Sequence, residues 1–299
     1  MVTVKKRIIG KKVYYYLEHS IRKNGNVKKE ERYIGKVLPK NIEEIKRDFT
    51  YEIYKEKWFK VFDEIKRNFS KEKVATPKSA KEKGAESFSI KFTYDTQRIE
   101  GSKLTLRETA ELLERGITPK GRPIRDIKET EAHQKIFFEM LKHKKDFSFQ
   151  IVLYWHKKLF ESTNPDVAGK IRNHQVLISG SRFIPPFPAE IQPLLKEFFG
   201  WYKKNKDRLH PVELAALVHL KFVTIHPFSD GNGRISRLMM NFVLNDKGFP
   251  MLNIPYENRS GYYNALERSQ TKRQDSMFLQ WFFRRYVKEY KRYSSKRQV

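Results

Sequence analysis

Cysteine does not occur anywhere in the 299 residues. Disulfides, thiolate metal sites and a cysteine nucleophile are therefore excluded. Long apolar runs are also lacking: none reaches the roughly 18 residues that a membrane-spanning helix needs. Met1 to Arg7 is basic, but no apolar h-region follows, so no secretory signal is read and the cytoplasm is the expected compartment. Acid is the third shortage, with 35 Asp and Glu against 62 Lys and Arg and a formal charge of +27. Such a surface attracts any polyanion, whether nucleic acid, nucleotide triphosphate or acidic protein, and charge alone does not choose among them. Several enzyme signatures are missing as well. There is no HExxH, no His-Asp dipeptide of the metal phosphohydrolases and no GxxxxGK(S/T) loop.

What remains is ample for a folded body. Apolar residues make up 39% of the chain, with 22 Phe and 15 Tyr. That suffices for one large domain, or one domain with a small appendage. Residues 1–40 read as a small antiparallel β segment. Arg7-Ile8-Ile9, Lys12 to Leu17 and Val27 to Ile34 are rich in β-branched and aromatic residues, and Asn24-Gly25 is a tight-hairpin signal. A sheet this small is marginal alone and is expected to dock on another element. A nucleic-acid-binding or partner-binding module and a structural cap are equally compatible with it.

From Asn41 the apolar residues Ile42, Ile45, Phe49, Ile53, Trp58, Val61, Phe62 and Ile65 recur mostly three and four apart, which predicts a helical connector. Lys71 to Glu86 is polar and punctuated by Pro77 and Gly84, which predicts a linker closing the segment 41–87. Residues 88–145 read as helical, with Thr105 and Glu108 forming a capping box ahead of Leu106 to Arg115. Residues 146–290 form the core, with helices expected at 149–160, 189–204, 211–224, 234–246, 259–269 and 275–290. Between the first two, Gln175 to Pro188 is extended and broken by proline, which predicts a flap. Residues 291–299 are a basic tail. The predicted fold class is mainly α: an all-helical core with a β-hairpin-like flap, plus a small N-terminal antiparallel β segment.

One stretch carries chemistry: His226-Pro227-Phe228-Ser229-Asp230-Gly231-Asn232-Gly233-Arg234-Ile235-Ser236-Arg237. Pro227 breaks the preceding helix, so His226 to Gly233 reads as a loop entering a helix N-terminus. Gly231 and Gly233 are read as positive-φ positions that turn backbone N–H groups inward around an anion, aided by the positive end of the helix dipole. Arg234 and Arg237, three apart on the first turn, suit phosphate oxygens. Asp230 offers a hard oxygen to Mg²⁺, and His226 is a base at neutral pH. Each feature alone is ordinary: a turn, a helix cap, a solvated arginine. Together they imply phosphate binding, a metal and a base, with a hydroxyl supplied from outside as nucleophile.

The stretch resembles the motif of the Fic (Fido) family, HxFx(D/E)GNGRxxR, at every fixed position, and the resemblance extends over roughly residues 90–290. It implies a helical catalytic core that binds ATP and Mg²⁺ and moves AMP onto a Ser, Thr or Tyr hydroxyl of a target protein. Carried over residue by residue, His226 is the general base and Asp230 the metal ligand. Gly231, Asn232, Gly233 and Arg234 hold the α- and β-phosphates, Arg237 holds the γ-phosphate, and Phe228 anchors the loop in the core. The flap, Ile178, Ser179, Gly180, Ser181, Arg182 and Phe183, aligns the target backbone. Tyr262 and Tyr263 line the nucleoside, and Gln270 stands where relatives carry Asn. Thr96 to Gly101 fits the inhibitory pattern (S/T)xxxE(G/N), which implies that Glu100 pairs with Arg237 and displaces the γ-phosphate. The resemblance also admits a homodimer. Two other readings stay open. One is a phosphodiesterase that removes AMP from proteins at the same site. The other is a nucleic-acid-binding regulator with a Fic core, motivated by the charge, the N-terminal segment and the basic run from Arg284 to Arg297.

Overall fold

The computed structural model describes residues 2–23 and 26–294. Alternation in the first forty residues becomes an antiparallel sheet of three strands in the order β1 (Thr3–Ile9), β2 (Lys12–Lys23), β3 (Asn26–Gly35). The hairpin signal Asn24-Gly25 lies outside the described residues. Val4 pairs with Leu17 and Leu17 with Arg32, so one face presents Val4, Leu17 and Ile34. With Val2, that face closes on Phe49, Ile42, Ile45 and Ile53 of helix α1 (Ile42–Ala75). The sheet therefore docks on a helix, as its size demands.

The chain divides into two compact units, the first ending at Asp63 and the second beginning at Glu64. The division falls inside α1, because the first half of that helix completes the core of the sheet. The linker expected at Lys71 to Glu86 is instead helical. α1 runs to Ala75 and α2 (Lys78–Ile99) follows after two intervening residues, so only the Thr76-Pro77 step interrupts them. Lys, Glu and Ala are strong helix formers, and their summed propensity outweighs the polar composition that suggested a linker. Proline alone breaks the run, by its missing N–H and its clash with the preceding turn.

The second unit is all helix among its described residues. After α2 come α3 (Leu106–Arg115), α4 (Ile124–Lys142), α5 (Phe149–Phe160), α6 (Pro188–Asn205), α7 (Pro211–Ile225), α8 (Asn232–Asp246), α9 (Arg259–Lys272) and α10 (Asp275–Glu289). The capping box at Thr105 is formed, with Glu108 N–H donating to the Thr105 hydroxyl and Thr105 N–H to the Glu108 carboxylate. α7 is buried on nearly every side, Pro211, Lys221 and Thr224 excepted, and packs on α6, α8 and α10. Each of its fully buried Leu or Phe side chains contributes about 1.5–3 kcal/mol relative to exposure. A helix buried on nearly every side thus delivers the chain into the loop at His226.

Gln175 to Pro188 contains no strand. Pro185, Pro186 and Pro188 supply no N–H donors, so a ladder has too few partners. The segment still turns back on itself, with Gly180 at φ 74° and Ser181 N–H donating to Ile178 O at 3.1 Å. Its arms are tied by a side chain, Gln175 Nε2 donating to Pro185 O at 2.9 Å. No described helix is long and apolar enough to cross a membrane.

Candidate active site

Pro227 disfavours a right-handed helical predecessor, and α7 ends at His226, which sits in the left-handed region at φ 51°. For a residue with a Cβ that conformation costs about 1–2 kcal/mol, so the surroundings must enforce it. They do so at Phe228, which is fully buried and stacks on His156 at 3.8 Å with 15° between the rings. They do so again at Asn232, whose side chain accepts from Phe228 N–H at 2.9 Å and donates to Phe228 O at 2.8 Å. Asn232 is thus a clamp for the loop. His156 fixes the loop from below: Nδ1 accepts from Gly169 N–H at 2.9 Å, so Nε2 carries the hydrogen and donates to Asp230 O at 3.0 Å. Burial holds the pKa of His156 down, to about 4.

The two glycines serve different ends. Gly231 has φ 82°, and a Cβ there would lie 2.5 Å from the Phe160 ring. Gly233 is an ordinary helical residue of α8 and not the positive-φ position expected for it. It is small for another reason: a Cβ would collide with the Glu100 carboxylate. The helix cap is Gly231, so no side chain caps α8, and the N–H groups of its first turn face the loop's concavity without a side-chain acceptor from the cap.

Four charged side chains close a ring beside this helix start. Arg125 donates to Glu129 Oε1 at 2.8 Å and to Asp230 Oδ2 at 2.8 Å. Arg234 donates to Glu129 Oε2 and, at 3.0 Å, to Asp230 Oδ1. Arg234 and Glu129 are buried, while Arg125 reaches in from solvent. Burial opposes ionisation of Asp230, but Arg234, the Gly231 N–H and Arg125 outweigh it and hold its pKa below the ordinary carboxylate value. An ionised hard oxygen donor fits Mg²⁺. Among the described residues no cluster of three or more His, Cys, Asp or Glu forms a metal cage. The donor set therefore suits an ion that shares a ligand's phosphates and keeps its waters.

Arg237 is 1% exposed, with its guanidinium divided among Thr96, Tyr262 and Glu100. The Glu100 Oε1 to Arg237 Nη2 distance is 2.6 Å. Glu100 caps the end of α2, and four contacts fix that helix end. Asp95 accepts from Asn253 Nδ2 at 2.5 Å and from Tyr256 N–H at 2.9 Å. The Arg98 guanidinium lies 4.7 Å over the Tyr256 ring. Tyr263 donates to Ile99 O at 2.9 Å.

The remaining expected residues are spread more widely. Tyr262 is buried, pairs with His219 at 2.9 Å, and has its phenol pKa pushed up to about 12 by burial. Tyr263 is 45% exposed. Gln270 donates to the Thr224 hydroxyl at 3.2 Å, two residues before His226, and shares no contact with Arg234 or Arg237. In the flap, Arg182 N–H donates to Glu267 Oε2 at 3.2 Å and Phe183 N–H to Ser181 Oγ at 3.2 Å. His226 Nδ1 lies 3.2 Å from Val223 O, so Nδ1 carries the hydrogen and Nε2 keeps its lone pair. Burial lowers the pKa of His226, against the opposing pull of Val223 O, Glu100 and Asp230.

Sequence reasoning overlooked Arg125, Glu129, His156 and Arg172. Arg172 is 3% exposed and spends its whole guanidinium on backbone. Nε donates to His226 O at 2.8 Å, Nη1 to His174 O at 2.8 Å and Nη2 to Pro186 O at 2.6 Å. One side chain therefore binds the base of the flap to the loop that follows α7. Only the spacing of Arg125 and Glu129, four apart, gave a local signal. The other two act across the fold.

This site and this helical frame define a Fic domain. The Fic/DOC family model matches residues 146–244, and the chain carries that domain. The protein adenylyltransferase Fic of Drosophila melanogaster is 36% identical over 178 residues, covering 58% of this chain and 36% of that one. The chain thus spans about a third of the length of the curated relatives it matches. Among solved structures, a Fic domain containing signaling protein from Bacteroides thetaiotaomicron aligns with a TM-score of 0.67 and 28% identity, over 76% of this chain and 94% of that one. Fic-1 of C. elegans, residues 134–508, aligns with a TM-score of 0.69 and 26% identity, over 82% and 72%.

Proposed function

We propose that the chain transfers AMP from ATP to a Ser, Thr or Tyr hydroxyl of a protein, with Mg²⁺ as cofactor, and that Glu100 restrains the transfer. The observation carrying this reading is the convergence, within His226 to Arg237, of a base with a free Nε2, an uncapped helix start and two buried arginines. The adenylyltransferase name of the curated relatives supports it.

In the proposed step a target hydroxyl oxygen attacks the α-phosphorus. The bond to the β-phosphate bridging oxygen breaks, pyrophosphate leaves and the hydroxyl proton passes to His226 Nε2. Lowering of the imidazole pKa by burial favours the neutral, proton-accepting form at pH 7. The first-turn N–H groups and Arg234 would hold the α- and β-phosphates, and Arg237 the γ-phosphate. Asp230 would hold the metal, whose contribution is to neutralise phosphate charge. Tyr262, Tyr263 and Gln270 would border the nucleoside, and Ile178 to Phe183 would take the target backbone by strand addition.

Paired labelling tests this. Protein incubated with α-phosphate-labelled ATP should acquire label on itself, weakly, whereas γ-labelled ATP should leave it blank. His226→Ala should abolish the labelling. Label arriving from the γ-phosphate would replace AMP transfer with phosphate transfer.

A further inference from the structure

We propose that the outer face of the N-terminal sheet binds single-stranded nucleic acid, with bases stacking on tyrosines and phosphates held by the surrounding cations. The sheet has two unlike faces. Val4, Leu17 and Ile34 point to the face that packs on Phe49. The opposite face carries Tyr14, Tyr16 and Tyr33, with Arg7 opposite Tyr14, Lys5 opposite Tyr16 and Tyr16 opposite Tyr33. The Tyr14 and Tyr16 rings lie 6.1 Å and 5.3 Å from the Tyr33 ring, tilted by 51° and 52°. They form a continuous aromatic row across two strands, open to solvent at Tyr33, which is 49% exposed.

Cations surround the row. Arg7 lies 4.6 Å over the Tyr16 ring and is steadied by Glu31. A planar guanidinium is itself a surface on which bases stack. Lys5, Lys12 and Lys29 are exposed on the same face. Residues 1–40 hold 12 Lys and Arg against 3 Glu. Packing does not explain the tyrosines, since the core of the sheet lies on the other side.

The combination selects the ligand. Cations alone would suit any polyanion, but an acidic protein offers no planar bases to stack on the rings. A duplex keeps its base faces inside its own stack. An unpaired strand presents regularly spaced phosphates and open base faces together.

The test uses the full chain. Fluorescence anisotropy with a labelled oligothymidine of about 12 nucleotides, within the ~4–16 that comparable stacking surfaces cover, measures Kd across a salt series. The expected result is salt-dependent binding that Mg-ATP does not displace and that the matching duplex does not equal. Tyr14→Ala with Tyr33→Ala should raise Kd about ten-fold at an unchanged salt slope, and Tyr14→Phe with Tyr33→Phe should restore it. Lys5→Gln, Lys12→Gln and Lys29→Gln should each lower the salt slope by up to ~0.7. No binding at low salt, equal or tighter duplex binding, displacement by Mg-ATP, or indifference to the tyrosines would each overturn the proposal. Circular dichroism of every variant verifies the fold. The lysine series, confined to exposed side chains, keeps the test decisive should a tyrosine variant misfold.

Discussion

Glu100 Oε1 and Arg237 Nη2 lie 2.6 Å apart, with Gly233 so close beneath the carboxylate that no Cβ fits there. The guanidinium is buried and has Thr96 and Tyr262 as its other partners, so the carboxylate fills the place of an incoming anion. Under the proposed function, Glu100→Gly should raise self-labelling from α-labelled ATP several-fold. It should also lower the melting temperature of the free protein, because the buried Arg237 guanidinium loses its anionic partner. Saturating ATP should then raise the melting temperature of Glu100→Gly more than that of the parent chain, since the nucleotide would supply the missing anion. Equal thermal shifts in the two proteins would remove Glu100 from competition with nucleotide.

Arg125 occupies one oxygen of Asp230, and its side chain is largely exposed. A divalent cation at Asp230 must displace it. Arg125→Ala should therefore tighten Mn²⁺ binding in the presence of a non-hydrolysable ATP analogue several-fold, read by electron paramagnetic resonance. An unchanged affinity would mean that Arg125 leaves Asp230 at no cost.

Arg172 holds three carbonyls, one of them that of His226. Truncation to Ala would leave buried acceptors unmade, at about 1–3 kcal/mol each where water does not enter. Arg172→Ala should lower the melting temperature and increase hydrogen exchange in both the flap and the loop after α7. Arg172→Lys should restore little, because one ammonium cannot reach three divergent acceptors. Exchange that rises in the flap alone would show that the two segments are not linked.

Buried histidines give stability a pH dependence with a definite sign. Burial lowers His156 to about 4 and His133 to about 3, and His219 lies well below its ordinary value for the same reason. As pH falls through ~6.5 the unfolded chain takes up these protons first. Stability should therefore be full above about pH 6.5 and decline towards pH 3–4, by about 3 kcal/mol from His156 alone on a linkage estimate. Melting temperatures measured from pH 7 to pH 4 should fall steadily. A flat profile would contradict the buried, neutral assignment.

Much of the helical frame was legible because α5, α8 and α10 follow apolar periodicity, α7 is apolar on most faces, and the capping box at Thr105 marks a start directly. The segment from Lys71 to Glu86 was misread because polarity was weighed above propensity. The flap's lack of a ladder follows from its prolines, which were visible, but the side chains tying it together were not. Gly233 illustrates the general limit. Its smallness is demanded by Glu100, more than a hundred positions earlier, and no local rule reaches that far. Arg172 and His156 are hidden for the same reason, since their partners are main-chain atoms distant in sequence.

Asn232 satisfies both the N–H and the carbonyl of Phe228, which a neighbouring strand would otherwise do. The loop therefore has its shape before any nucleotide arrives, as a consequence of folding itself. Little ordering entropy is then left to be lost on binding. A loop built this way is held by the same kind of contacts as the interior. Control can then come from neighbours that occupy its partners, as Glu100 occupies Arg237.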